Sequence, residues 1–229
     1  MSPPITGISS MATRRLLADL AAAYRERTGV AVDIESVGGV DAARRIEAGE
    51  PFDLAVLASD AIDRLAAAGA VVAGSRVDLA LSPVAIAVRT DASRPDVGSE
   101  AALRRTVLAA RAIGYSTGPS GTALLKLFDR WGLAEVLRER VVQAPPGVPV
   151  GALVARGDVE LGFQQLSELT QLDGVAVLGT MPPGSEIVTV FSGGVCAAAR
   201  QPDAARALLA FMRSDDAAPA KRRHGMQPA

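Results

Sequence analysis

The residues able to do chemistry in this 229-residue chain gather at turns between apolar stretches. Ser116, Thr117, Gly118, Pro119, Ser120, Gly121 and Thr122 follow a short apolar stretch, residues 112–115. They precede Leu124, Leu125, Leu127, Phe128 and Trp131, which recur at helical spacing. A strand that passes through a small-residue loop into a helix points unpaired backbone N–H groups at one spot. The first turn of a helix carries four such donors and a partial positive charge, which suits an anion. Ser116, Ser120 and Thr122 add hydroxyl donors and Gly121 adds nothing bulky; alternatively, Ser120 or Thr122 simply caps the helix. Three earlier turns have the same character: Ser9-Ser10, Gly38-Gly39 and Ser59-Asp60. Gln164 and Gln165 stand at another strand end, where their amides both donate and accept, a mixture suited to a carboxylate or hydroxyl.

Groups that could move a proton are few. Tyr115, Glu168 and Asp60 lie at or beside these turns, and each also has an ordinary structural role, Asp60 as a helix cap and Glu168 as a solvated carboxylate. Cys196 is the one cysteine and His224 the one histidine. A Ser-His-Asp triad, a multi-histidine zinc site and a disulfide are thereby excluded as working devices, and no metal or cofactor is expected. Cys196 sits in an apolar run and reads as a buried, inert thiol. Arg14 and Arg76 are the basic residues nearest to the turns.

Composition bounds the rest. The chain is 49% apolar with only 3% aromatic residues, and its net charge is −1 with the basic residues dispersed. That excludes a nucleic-acid footprint and suits Val-rich strands with Ala- and Leu-rich helices. The cluster Lys221-Arg222-Arg223-His224 reads as a solvated helix face. No apolar run is long enough to span a bilayer. The first eleven residues lack a basic, then apolar, leader, so the expected location is cytoplasmic as written, or periplasmic if a signal was removed.

The elements that must position these residues alternate. Strands at residues 5–8, 30–37 and 52–58 alternate with helices at 12–28, 41–48 and 61–68, the pattern of a parallel sheet flanked by helices. In such sheets the strand-to-helix turns share the carboxyl edge, where ligands bind. Two long strand-like runs, residues 82–89 and 187–199, bracket a second α/β stretch. The expectation is an α/β chain with two lobes: residues 1–87 with 187–229, and an inserted lobe of residues 88–186. Both long runs would cross between lobes as hinge strands beside a cleft, loosest at Gly193-Gly194.

Residues 43–61, ARRIEAGEPFDLAVLASDA, and the closing FMRSDDAAPAKRRHGMQPA resemble segments of the molybdate-binding and related type II periplasmic solute-binding proteins. Tyr115-Ser116, Ser120-Gly121 and residues 160–169, ELGFQQLSEL, are similar to the branch that includes aconitate isomerase. The resemblance implies the type II two-lobed fold and capture of a small anion between lobes by a monomer. It further implies partnership with the permease of an ABC transporter, or a cytoplasmic relative of that role. It places a ligand hydroxyl at Ser9 or Ser10 and backbone donors at Ser120 and near Gly147 or Val148. It also sets Gly39 where the family has a serine and Gln165 where it has a tyrosine, which favours a carboxylate over molybdate. The branch implies an alternative, an isomerase that shifts a proton across an unsaturated tricarboxylate.

Overall fold

The computed structural model describes residues 3–170 and 172–229, and these form two compact α/β units. The described residues up to Leu81, with Val190–Ala229, make the first; Ser82–Thr189 make the second.

In chain order the first unit holds β1 (Ile5–Ser10), α1 (Arg14–Thr28), β2 (Val32–Val37), α2 (Gly39–Glu47), β3 (Leu54–Ala58) and α3 (Ser59–Ala67). The chain leaves it along β4 (Val77–Arg89). The second unit holds α4 (Glu100–Ala109), β5 (Ile113–Tyr115), α5 (Pro119–Arg130), α6 (Ala134–Leu137), β6 (Val141–Gln143), α7 (Val150–Arg156), β7 (Leu161–Gln165), α8 (Leu166–Leu169) and β8 (Val175–Thr180). The chain returns along β9 (Val188–Val195) to α9 (Pro202–Arg213), α10 (Ala218–Arg223) and β10 (Gln227–Pro228).

In the first unit β1 pairs in parallel with both β2 and β3, and β9 runs antiparallel to β3. Strand alternation divides its core into two layers. Leu54 and Val56 pack with Leu16, Leu17 and Leu20 of α1 and Leu208, Leu209 and Met212 of α9. Ala55 and Leu57 face the other way, onto Ile46, Ile62, Leu65 and Cys196. Burial pushes the Cys196 thiol up to about 12, with the nearby Asp53 charge adding to it, so the thiol is inert as expected.

Asp53 ties the layers together. Its carboxylate, 2% exposed, accepts from the Thr6 N–H at 2.9 Å and the Thr6 hydroxyl at 3.0 Å. The N–H groups of Arg200 and Gln201, at the start of α9, reach its other oxygen at 2.8 Å each. Lys221 departs from the solvated face read for its cluster: it is 1% exposed, because α10 packs that side against α1. Gly193 and Gly194 also differ from the expected hinge. They pair with Val56 and Ala55 inside the first unit, and a Cβ on either would meet Leu209 at 2.2 Å or Val71 at 2.7 Å. Close packing, not mobility, requires glycine there.

In the second unit β5 pairs in parallel with β6 and β7, while β4 runs antiparallel to β7 and β8. Phe128 anchors the larger layer, edge-on to Phe163 at 6.0 Å and beside Trp131 at 6.0 Å. α7 lies on the opposite face, over Gly114 and Gly162, which are partners in the β5–β7 register. A Cβ on Gly114 would meet Val150 at 2.9 Å, and one on Gly162 would meet Val154 at 2.4 Å.

The helix expected after the small-residue loop begins within it, at Pro119, so Ser120, Gly121 and Thr122 lie in its first turn. Proline at the first helical position costs no hydrogen bond. Gly121 lets that turn fold down over the end of β5, for an added Cβ would sit 1.9 Å from the Ser116 carbonyl oxygen. Gly121→Ala is therefore expected to destabilise the protein by about 1–3 kcal/mol. Urea unfolding is the measurement, with Thr122→Ala, at an exposed site on the same turn, expected to change stability by less than about 0.5 kcal/mol.

Candidate functional site

The parallel strands of each unit deliver their turns to the carboxyl edge, and the helices that begin there start without side-chain caps. This holds for the 3-10 turn Met11–Thr13 that leads into α1, for α2 after Gly38, for α3 after Ala58, for α5 after Gly118 and for α7 after Pro149. Ser59 and Asp60 are thus the first two residues of α3 and not its cap. Asp60 is exposed and pairs with Arg64 at 2.9 Å. By contrast α4, which follows a polar loop, is capped by Ser99. Uncapped first turns keep their partial positive charge, although some of their donors are already engaged: Gly121 and Thr122 of α5 bond the Gly118 carbonyl, and Gly151 of α7 bonds Gln164.

In the first unit, Ser9 and Ser10 end β1. Ser9 is fully buried, with its hydroxyl 2.8 Å from that of Ser36, the residue opposite it on β2. Ser10 is 8% exposed and its carbonyl accepts from Thr13. Gly38 and Gly39 open α2, and a Cβ on Gly39 would stand 3.6 Å from the Ser10 Cβ, ordinary contact. A side chain at 39 would fit; its absence leaves space beside Ser10. Arg76 is held by Asp63 and Asp78. Arg14 is exposed and makes no ion pair with the described residues.

In the second unit, the Ser116 and Ser120 hydroxyls meet at 3.0 Å across the β5–α5 turn. Half-buried Tyr115 lies against Gly121. Val148 gives its N–H to the Pro145 carbonyl, so that donor is engaged within the loop. The two glutamines, read as following β7, are its last residues, and being adjacent in a strand they face opposite ways. Gln164 accepts the Gly151 N–H at 3.0 Å and donates to the Glu168 carboxylate at 2.8 Å. Gln165 donates to the Thr189 hydroxyl at 2.7 Å and leaves its own buried amide oxygen without a partner among the described residues. The same is true of the buried Ser82 Oγ. Because the Thr189 hydroxyl can donate as well as accept, Gln165 keeps that bond with its amide turned either way. It can therefore offer a ligand an oxygen or an NH₂.

Glu168 is half-buried, not solvated. Burial raises its pKa to about 7, against the lowering effect of the Gln164 hydrogen bond. The sequence gives no sign of Thr189 or Ser36 as partners, since both are brought in by strand pairing. Gly151 was hidden as one more small residue in a helix.

A groove of about 690 Å³ on the second unit lies elsewhere. It is lined by Arg89, Arg105, Arg111 and Glu160 at the amino ends of β5 and β7 and contains none of the candidate residues. Among the described residues no group of three or more His, Cys, Asp or Glu is placed to hold a metal ion. No helix among them is long and apolar enough to cross a membrane.

Residues 5–227 match the bacterial extracellular solute-binding protein family. The chain belongs to that family. It is 38% identical to the aconitate isomerase of a Pseudomonas species over 232 residues, covering 98% of this chain and 87% of the relative. It is 28% identical to molybdate-binding protein ModA of Azotobacter vinelandii over 155 residues, 66% of this chain and 60% of the relative. The structure of the Azotobacter vinelandii periplasmic molybdate-binding protein superposes with a TM-score of 0.80 at 21% identity, covering 97% of this chain and 98% of that one. The fold of this solute-binding family member is accordingly the two-lobed α/β fold of type II periplasmic binding proteins, as the sequence led one to expect.

The raised Glu168 pKa has a signed consequence. Below its ordinary value of 4.5 the carboxyl is protonated in both folded and unfolded chains and costs nothing. As pH rises from 4.5 to about 7 the unfolded chain ionises while burial keeps the folded carboxyl protonated, so stability falls across that window, by about 3 kcal/mol in full, and levels off above it. Glu168→Gln should remove most of that loss. Urea unfolding of both proteins at pH 5 and pH 8 checks it: the variant gains on the parent between the two.

Proposed function

We propose that this family member binds a small carboxylate anion, and that two sets of strand-end donors, one on each unit, are the candidates for holding it. Ser9, Ser10, Gly38, Gly39 and Ser59 belong to the first set, and Ser116, Ser120, Gly121, Thr122 and Gln165 to the second. The observation that carries this reading is the buried Gln165 amide with an oxygen that nothing among the described residues answers. An orphaned buried polar atom calls for a partner, and an amide that can turn suits a ligand with both accepting and donating oxygens. A cradle made for a tetrahedral oxyanion would present donors only. Gly39 supports the same choice, withholding a hydroxyl and leaving room for a larger anion. Arg14 supplies an uncommitted positive charge at the start of α1. In this reading the protein works as a monomer, outside the cytoplasmic membrane, delivering its ligand to an ABC-transporter permease. The family's extracellular description and the molybdate-binding relative support that setting.

A second reading is favoured by Glu168. A carboxyl group that titrates near neutrality handicaps a plain anion binder, yet serves an enzyme that must take up and return a proton. With the aconitate isomerase relative in view, that enzyme would interconvert unsaturated tricarboxylates.

A thermal-shift panel of di- and tricarboxylates, sulfate, phosphate and molybdate tests the ligand class, since a ligand of the folded state raises the melting temperature. Carboxylates should stabilise the protein and molybdate should not. Tight molybdate binding by calorimetry, at about micromolar or better, would overturn the assignment. Ser10→Ala and Gln165→Ala should each weaken carboxylate binding about ten- to a hundred-fold, the worth of one hydrogen bond to a charged group. A carboxylate that shifts both variants as much as the parent would remove these residues from the site.

A further inference from the structure

Which atoms could move a proton follows from a chain of donors whose direction is fixed. The Gly151 N–H can only donate, so the Gln164 atom that it meets at 3.0 Å is the amide oxygen. The NH₂ end of Gln164 must then point the other way, and it lies 2.8 Å from Glu168 Oε1. An NH₂ cannot accept, so Glu168 Oε1 is an acceptor in either protonation state, and a proton on this carboxyl resides on Oε2. Gln164 is 2% exposed and lies between the start of α7 and the first turn of α8, so it has no freedom to reverse. Among the described residues no cation pairs with Glu168 to hold it ionised: burial and the one Gln164 bond account for its titration. The other two candidates are placed differently. Asp60 is exposed and paired with Arg64, and Tyr115 lies under the first turn of α5.

We propose that Glu168 Oε2 is the proton-transferring atom of an allylic isomerase, and that Gln164 is the positioning residue that keeps Oε1 occupied. This inference rests on the carboxylate-binding reading and deepens it. In the first half of the reaction, ionised Glu168 takes a proton from the saturated carbon between a double bond and a carboxylate. The C–H bond breaks, an O–H bond forms at Oε2, and the electron pair spreads over the three-carbon unit and its carboxylates. In the second half the same O–H returns its proton to the far carbon of that unit, and the double bond has moved by one position. Nothing is oxidised or reduced and no atom is gained. The Ser120 N–H and the Ser116–Ser120 hydroxyl pair are donors of the kind that charge developing on the substrate requires. Because Gln164 donates to Oε1 throughout, the carboxyl does not have to turn between the two halves.

The test follows the full-length protein with cis- and trans-aconitate in D₂O. Proton NMR reads exchange at the allylic and vinylic positions, ultraviolet absorbance reads interconversion, and thermal shift reads binding. The parent should bind, exchange and interconvert. Glu168→Gln should lose exchange at least a hundred-fold while binding within about threefold of the parent. Gln164→Glu retains an acceptor for the Gly151 N–H but sets a second carboxyl against Glu168 Oε1, so the pair shares a proton and the Glu168 oxygen is no longer held by a fixed N–H donor. It should keep KM within about threefold and lose at least tenfold in kcat, a split that a purely structural role would not give. If the parent binds aconitate but neither exchanges nor interconverts it, the proton-transfer proposal is overturned and the binding reading stands. If it binds no carboxylate at all, both fall. Unimpaired exchange in Glu168→Gln would assign the proton to another group and sink the proposal.

Discussion

The close seating of α7 on β5 and β7 is the constraint on which the second unit's chemistry depends. Gly114 and Gly162 are register partners, and a side chain on either would strike Val150 or Val154. Without those glycines the helix would ride farther from the sheet, and the Gly151 N–H would leave the reach of Gln164. The hydrogen bond to Gly151 sets which way the Gln164 amide faces, and the amide then determines which Glu168 oxygen is engaged. A packing requirement in the middle of two strands is thus transmitted, through one amide, to a carboxyl at the strand end. Interiors packed at crystal-like density transmit such constraints because little slack exists to absorb them.

The donor-rich carboxyl edge follows from topology. Parallel strands deliver every strand-to-helix turn to one side, so the helix starts share an edge without any sequence motif linking them. Leaving those starts uncapped forgoes about 1 kcal/mol per helix, the usual worth of a capping side chain. Bare starts are not peculiar to that edge, since α6, α9 and α10 also lack a side-chain cap, while α4 is capped by Ser99 in the ordinary way. The small residues at the turns serve the same end: Gly38 and Gly39 leave α2 bare, and Gly121 lowers α5 onto β5.

Most of the architecture was legible because it rests on short-range pattern. Apolar periodicity located the helices and strands, and glycine closures located many helix ends. What stayed hidden rests on pairing between distant segments. The short strand β6 has three residues and is recognisable only by its register with β5. Gln164 and Gln165 read as a doublet of equal character, yet strand alternation sends one to α7 and the other to Thr189. Gly193 and Gly194 read as a bend, although Leu209 and Val71, far away in sequence, are what exclude a side chain there. Lys221 was read with its charged neighbours, while tertiary packing separated it from them. At the candidate site the residue types were visible and their division of labour was not, because that division is set by hydrogen-bond direction.

Two buried or half-buried carboxyls in this protein show how that direction decides protonation state. Burial works against the charge of both. At Asp53 four donors from Thr6, Gln201 and Arg200 outweigh it and hold the carboxyl below its usual range, ionised and structural. At Glu168 a single donor from Gln164 does not, and the group titrates at about 7. The difference lies in the number of N–H and O–H groups aimed at the oxygens, not in the acid itself. A carboxylate with all its lone pairs answered is a strut, since protonating it would break bonds that the fold uses. One with an unanswered oxygen near neutrality can gain and lose a proton without disturbing its support. Asp53 holds together β1, β3 and the start of α9, while Glu168 stands at a strand end held by one amide, and only the second arrangement leaves an oxygen available to a substrate.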